Sequence, residues 1–109
     1  MNYELVWEED VIKDFKKFEI TEDEFNYIES KLNKKRINDF PFRVTKKLKG
    51  INAEIRTFKI DIKNVPFRIF FYINETTRTI YGLAISPRKN CYNKESLNKI
   101  IQQVRAIKK

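Results

Sequence analysis

Residues 55–73 read IRTFKIDIKNVPFRIFFYI and decide the fold, because apolar and polar side chains alternate on both sides of a short break. This period of two predicts two strands, Ile55–Ile62 and Phe67–Ile73, joined by a turn over 63–66. A third strand is predicted over Arg78–Ser86, after a polar turn. Consecutive strands with short connections predict an antiparallel meander.

Helical patterns flank this strand region. The best signal is Thr21 followed by Glu24, a capping box that starts a helix. Before the meander, the sequence predicts a strand at Tyr3–Trp7, helices at Glu8–Phe18 and from Thr21 toward Arg36, and connecting chain at Asn38–Gly50. After it, a final helix is predicted from about Lys94.

The order β-α-α-β-β-β-α predicts an α+β fold, in which a helical hairpin packs on an antiparallel sheet and a C-terminal helix follows. The length of 109 residues fits a single domain, 1–109. The final helix has an apolar stripe that either rests on the sheet or is displaced by a partner. We expect it on the sheet, because an exposed stripe would aggregate.

Composition excludes several kinds of chemistry. The chain has no His and a single Cys, Cys91, so His-dependent nucleophiles, His metal sites and thiolate cages are excluded. No metal or cofactor is expected. The longest apolar run, 69–73, is too short to span a membrane, and the N-terminus lacks signal-peptide character. We therefore expect a cytoplasmic protein without membrane contact.

Charge is distributed unevenly along the chain. Residues 1–30 have a net charge of −7 and residues 31–109 a net charge of +15. The basic part is expected to face a polyanion. The acidic part either pairs with basic residues elsewhere or forms a solvated helix face.

Several cations are predicted to meet on one face of the sheet. Alternation places Lys59 and Arg68 on the same exposed face, and Arg88 and Lys89 follow the third strand. With aromatic neighbours, such a cluster suits RNA, because cations hold phosphates while bases stack on rings. The alternative is a solubilising surface, with Phe70 and Tyr72 packed under the last helix. The same alternation places Arg56 on the side of the strand that faces the core, where we expect an ion pair with the acidic helices.

The order and spacing of these motifs resemble the RelE/ParE superfamily of type II toxin–antitoxin toxins over nearly the full chain. The stretches that carry the resemblance are Tyr3–Trp7, Lys46–Gly50, Phe58–Ile62 with Phe67–Tyr72, and Pro87–Tyr92.

The resemblance implies a ribosome-dependent mRNA endonuclease in which the RNA 2′-hydroxyl attacks the adjacent phosphate. Lys59 matches a basic residue that activates this hydroxyl, and Arg68 the arginine that stabilises the transition state. Arg88 or Lys89 matches a phosphate-binding cation, and Tyr92 a tyrosine that orients a base. The RNA-binding candidates are Lys49, Arg56, Lys63 and Lys89.

The resemblance also implies partners: a cognate antitoxin with an acidic segment, and mRNA on the ribosome. Asp61 stands where ribosome-dependent relatives often have a second Lys, and Pro87 stands where His is common. These departures keep two alternatives open. One is a ParE-like toxin that poisons DNA gyrase without nuclease activity, and the other is an inactive binding module.

Overall fold

In the computed structural model, which describes residues 2–50, 54–89 and 94–108, a five-stranded sheet lies between two helical layers. The α+β class and the predicted order of the main elements are confirmed. The elements are β1 (Glu4–Trp7), α1 (Glu9–Lys17), α2 (Glu22–Lys34), α3 (Pro41–Val44), β2 (Lys46–Lys47), β3 (Arg56–Ile62), β4 (Val65–Asn74), β5 (Thr79–Pro87) and α4 (Lys94–Lys108).

The strand order is β1-β5-β4-β3-β2, and β3, β4 and β5 form the predicted antiparallel meander. The expectation of a wholly antiparallel sheet is wrong at one edge, because β1 pairs with β5 in parallel. The helical hairpin and the meander separate these two strands in the chain, so no short turn forces them to run in opposite directions.

The turn between β3 and β4 is tighter than the sequence predicts. Ile62 pairs with Val65, so the loop contains only Lys63 and Asn64, whose φ angles are 52° and 64°. Two consecutive positive φ values fit the type I′ turn that matches strand twist. Val65 and Pro66 therefore belong to β4.

The segment 38–50 is not merely connecting chain, because it contains α3 and β2. Pro41 occupies the first turn of α3, and the Thr45 hydroxyl donates to the Pro41 carbonyl at 2.7 Å. Lys46 and Lys47 then pair with Thr57 and Arg56 of β3. A one-turn helix and a two-residue strand are too short to leave a periodic pattern.

Each face of the sheet has its own core. One face packs against α1 and α2 through Ile28, Leu32, Phe58, Ile60, Phe67, Ile69, Phe71, Ile73 and Ile85. The other packs against α4 through Ile55, Phe70, Tyr72, Leu83, Ile100 and Val104. The last helix thus rests on the sheet, with Phe70 and Tyr72 beneath it. None of the helices in the described ranges is both long and apolar enough to cross a membrane.

The capping box of α2 is confirmed. Thr21 Oγ1 accepts from the Glu24 amide at 3.2 Å, and the Glu24 carboxylate accepts from the Thr21 amide at 2.8 Å. Glu24 Oε2 also lies 3.4 Å from Lys63 Nζ. One acidic side chain of the helical hairpin therefore pairs with the basic part of the chain.

The contact between β1 and β5 requires glycine at position 82. Trp7 lies opposite Gly82, and a Cβ atom added there would overlap the Trp7 indole. Trp7 has little room to move, because its ring centroid lies 5.7 Å from that of Phe25 and 6.1 Å from that of Phe71. This is the physical reason for a glycine in the middle of β5.

We expect Gly82→Ala to lower the free energy of unfolding by about 1–3 kcal/mol through overpacking. Urea unfolding would measure this loss for Gly82→Ala in the wild-type protein and again in a Trp7→Leu background. The smaller leucine removes the overlap, so the cost should shrink there. An equal loss in both backgrounds would contradict the assignment to the Trp7 ring.

Candidate functional site

Lys59 and Arg68 lie directly opposite each other on β3 and β4. The prediction that they share a face is therefore confirmed. Arg68 is only 8% exposed, however, whereas Lys59 is exposed. Burial of Arg68 follows from its place on the central strand, where β3 flanks it on one side and Ser86 of β5 on the other.

Arg88 approaches the same place from the end of β5. Its backbone amide donates to the Pro66 carbonyl at 2.9 Å, which anchors it at the start of β4. The positive charges of Arg88 and Arg68 lower the pKa of the Lys59 amine, with smaller contributions from burial and from Lys46. We call Lys59, Arg68, Arg88 and Lys46 the cation cluster. Because mutual repulsion raises its energy, an anion that binds among these groups is strongly favoured.

The depressed pKa of Lys59 gives a test of this cluster. Arg88→Gln is expected to raise the pKa of Lys59 back toward the ordinary value, because it removes the largest repulsive charge. An NMR titration of the Lys59 side chain in both proteins would measure the change. Lys89→Gln, one residue further on, is the matched control. If the two substitutions shift the pKa of Lys59 equally, Arg88 does not have the place described.

A cleft of about 330 Å³ adjoins the cluster. Lys59 and Asp61 of β3 line it together with Arg88, and Tyr27 and Lys31 of α2 also contribute to its lining. The Asp61 carboxylate is thus placed beside two cations. The cleft is open to solvent and offers mainly polar groups, as expected of a surface that takes a charged polymer.

The RNA-binding candidates other than Lys89 lie apart from the cluster. Lys63 pairs with Glu24 of α2, so its charge is directed toward the helical hairpin. Lys49 is exposed beyond β2, at the opposite end of β3 from Lys59. Lys89 is exposed next to Arg88.

Arg56 holds the segment 38–50 in place. Its guanidinium donates to Thr45 Oγ1 at 2.8 Å, to the Thr45 carbonyl at 2.8 Å and to the Phe42 carbonyl at 3.1 Å. These partners are neutral oxygens, so the expected ion pair with the acidic helices is wrong. The reason is the fold of α3 and β2, which brings backbone oxygens to the start of β3.

Tyr92, matched to the base-orienting tyrosine, and Cys91 both lie outside the described residues. Among the residues that the structure describes, no group of three or more acidic or cysteine side chains gathers as a metal site would require.

Sequence reasoning missed Lys46, Tyr27 and Lys31 as neighbours of the cluster and its cleft. Lys46 reaches Lys59 through the pairing of β2 with β3, which a two-residue strand does not reveal. Tyr27 and Lys31 are four residues apart on α2, so they share a helix face, and this spacing is the one available signal.

Solved structures that are similar to this chain include RelE toxins and RelBE toxin–antitoxin complexes. A variant of E. coli toxin RelE in the free state has a TM-score of 0.64 and 15% identity, and the match covers 95% of this chain and 99% of that one. The chain has the RelE fold. The RelBE2 toxin–antitoxin complex of Mycobacterium tuberculosis matches at a TM-score of 0.59 and 16% identity, over 81% of this chain and 100% of that one.

The intact E. coli RelBE complex is a further match, with a TM-score of 0.56 and 16% identity over 78% of this chain and 95% of that one. Comparison with protein-family profiles and comparison with curated protein sequences each found no match. The similarity to RelE is therefore visible in the three-dimensional structure and not in these sequence comparisons.

Proposed function

We propose that this protein is the toxin of a toxin–antitoxin pair and that it cleaves mRNA on the ribosome. The observation that carries the proposal is the cation cluster, in which Arg68 and Arg88 converge on Lys59 and lower its pKa. The RelE fold supports the same assignment.

The chemistry uses the substrate's own nucleophile. The RNA 2′-oxygen forms a bond to the adjacent phosphorus, and the bond from phosphorus to the 5′-oxygen breaks. A 2′,3′-cyclic phosphate and a 5′-hydroxyl result. The proton of the 2′-hydroxyl goes to the neutral Lys59 amine, and the leaving 5′-oxygen takes a proton from a cationic side chain or water.

Three residues of the cluster meet the chemical demands of this reaction. Because the pKa of Lys59 is lowered, a larger fraction of its amine is neutral at a given pH and able to accept a proton. The Arg68 and Arg88 guanidiniums provide positive charge for the pentavalent phosphorane, which gains negative charge in the transition state. Arg68 is buried, so it is positioned before the substrate arrives.

An antitoxin partner follows from the same proposal. The solved relatives of M. tuberculosis and E. coli are toxin–antitoxin complexes. The net charge of +15 over residues 31–109 would attract an acidic antitoxin segment and thereby neutralise the RNA-binding surface.

The test is a cell-free translation reaction with a defined mRNA and primer extension to map cut sites. We expect cuts that require ribosomes and that end in a 2′,3′-cyclic phosphate. Intact mRNA with normal translation would refute the nuclease. Cleaved DNA trapped on gyrase in a parallel supercoiling reaction would replace it with gyrase poisoning.

A further inference from the structure

A second basic surface surrounds α3 near the start of β3, next to Lys46 of the cation cluster. Phe42 is 42% exposed and Phe40 is 38% exposed, although both are large apolar side chains. Cations stack on both rings: the Arg56 guanidinium carbon lies 5.1 Å from the Phe42 centroid, and that of Arg43 lies 4.6 Å from the Phe40 centroid. We call Phe40, Phe42, Arg43 and Arg56 the Arg–Phe patch.

The patch is held in a fixed geometry. Arg56 donates to the backbone of Phe42 and Thr45, which orients its guanidinium over the Phe42 ring. Arg36 also lies over the Phe40 ring, at 5.1 Å, while it pairs with Asp39 at 2.9 Å. Phe40 therefore positions arginines, and Phe42 is the ring with the larger exposed fraction.

A cleft of about 330 Å³ lies beside the Phe42 ring. Glu54 and Glu75 line it together with Lys47 and Arg56, and the buried Ile73 contributes an apolar wall. An aromatic ring, an apolar wall and two carboxylates, of which Glu54 also pairs with Lys108 at 3.4 Å, form a site that suits a nucleobase. The ring stacks on the base, and carboxylates accept hydrogen bonds from exocyclic amino groups.

The patch is connected to the cation cluster by positive charge. Lys46 and Lys47 pair with Thr57 and Arg56, and Lys46 contributes to the lowered pKa of Lys59. Arg56 and Lys59 are three residues apart on β3, about 10 Å along an extended strand, and their side chains point to opposite faces of the sheet, so the strip passes around the sheet edge formed by β2. Phosphates that follow this strip would place a base of the same RNA strand at Phe42.

We propose that the Phe42 cleft binds an unpaired base of RNA, one with an exocyclic amino group, a few nucleotides from the cation cluster. One part of this proposal rests on the proposed function, namely that the bound RNA is the strand that the protein cleaves. An acidic peptide would also meet the lysines. It fits less well, because its carboxylates would lie beside Glu54 and Glu75 in the cleft, whereas a base enters as a neutral ring and leaves its phosphate on the lysines.

The test measures binding without cleavage and without ribosomes. Fluorescence anisotropy with 2′-O-methyl oligonucleotides of cytidine or uridine gives affinities for RNA that lacks the attacking hydroxyl. We expect tighter binding of the cytidine oligonucleotide. Phe42→Leu, which keeps apolar volume but loses the aromatic face, should weaken it about 5-fold or more. Ile12→Ala, at an exposed apolar residue of α1, is the control.

Glu75→Gln is a second variant whose exposed position makes misfolding no concern. It should reduce the preference for cytidine over uridine, because an amide is a weaker acceptor than a carboxylate. Equal affinities of Phe42→Leu and Ile12→Ala for cytidine would overturn the proposal. An unchanged preference in Glu75→Gln would do the same.

The affinity for a glutamate peptide is measured in the same variants. If Phe42→Leu weakens peptide binding as much as RNA binding, the site is assigned to a peptide instead. These results are separable from the nuclease test. Base binding at Phe42 without ribosome-dependent cuts would refute only the nuclease, and cuts without any effect of Phe42 would refute only the base site.

Discussion

Arg68→Ala is expected to slow ribosome-dependent mRNA cleavage by about 100- to 1,000-fold, the effect of removing one group that stabilises transition-state charge. Arg68 stands on the central strand directly opposite Lys59 and is 8% exposed. Charge held in such a shielded position acts more strongly on a phosphorane than a solvated surface charge does. Single-turnover cleavage on programmed ribosomes would measure the rate.

Two further variants separate catalysis from folding. Arg105→Ala removes an exposed arginine of α4 and should leave the rate within about 2-fold, because surface substitutions have small effects. Arg68→Lys keeps the charge but loses the planar guanidinium, so an intermediate rate is expected. A folded Arg68→Ala protein that cleaves within 10-fold of wild type would contradict the assigned role.

Phe71→Ala is expected to lower the free energy of unfolding by about 3–5 kcal/mol. Phe71 is fully buried on β4, where the sheet meets α1 and α2, and its ring contacts that of Trp7. The truncation leaves a cavity between the sheet and the helical hairpin that neighbouring rings cannot fill. A loss of this size is a large part of the stability of a small domain.

Urea unfolding followed by circular dichroism would give this value. Ile12→Ala, which truncates an apolar side chain that is 51% exposed, should change stability by less than about 0.5 kcal/mol. A loss below about 1.5 kcal/mol for Phe71→Ala would show that the packing around this ring is looser than described.

The cation cluster combines a buried and an exposed member, and the difference has a chemical use. Arg68 is fixed by the strands around it, whereas the exposed Lys59 titrates under the influence of its neighbours. As pH rises through the pKa of Lys59, which lies below 10.5, the amine loses its proton. The cleavage rate should therefore rise with pH over that range and level off above it.

The sequence by itself determined the features that depend on local periodicity. The alternation in β3 and β4 correctly put Lys59 and Arg68 on one face. It left open whether Phe70 and Tyr72 pack under the last helix, and the structure places both of them there. Thr21 and Glu24 correctly marked the start of α2. Such patterns are readable because each residue's neighbours along the chain already decide which way its side chain points.

Tertiary structure alone decided which distant segments meet. The parallel pairing of β1 with β5, the pairing of Lys46 next to β3, and the backbone partners of Arg56 all join residues far apart in the chain. These contacts depend on how whole elements pack. A short strand or a single helical turn is too short to have a periodic pattern, so its pairing partner cannot be predicted from the sequence. The burial of Arg68 belongs here too, because only strand order shows that β4 is central.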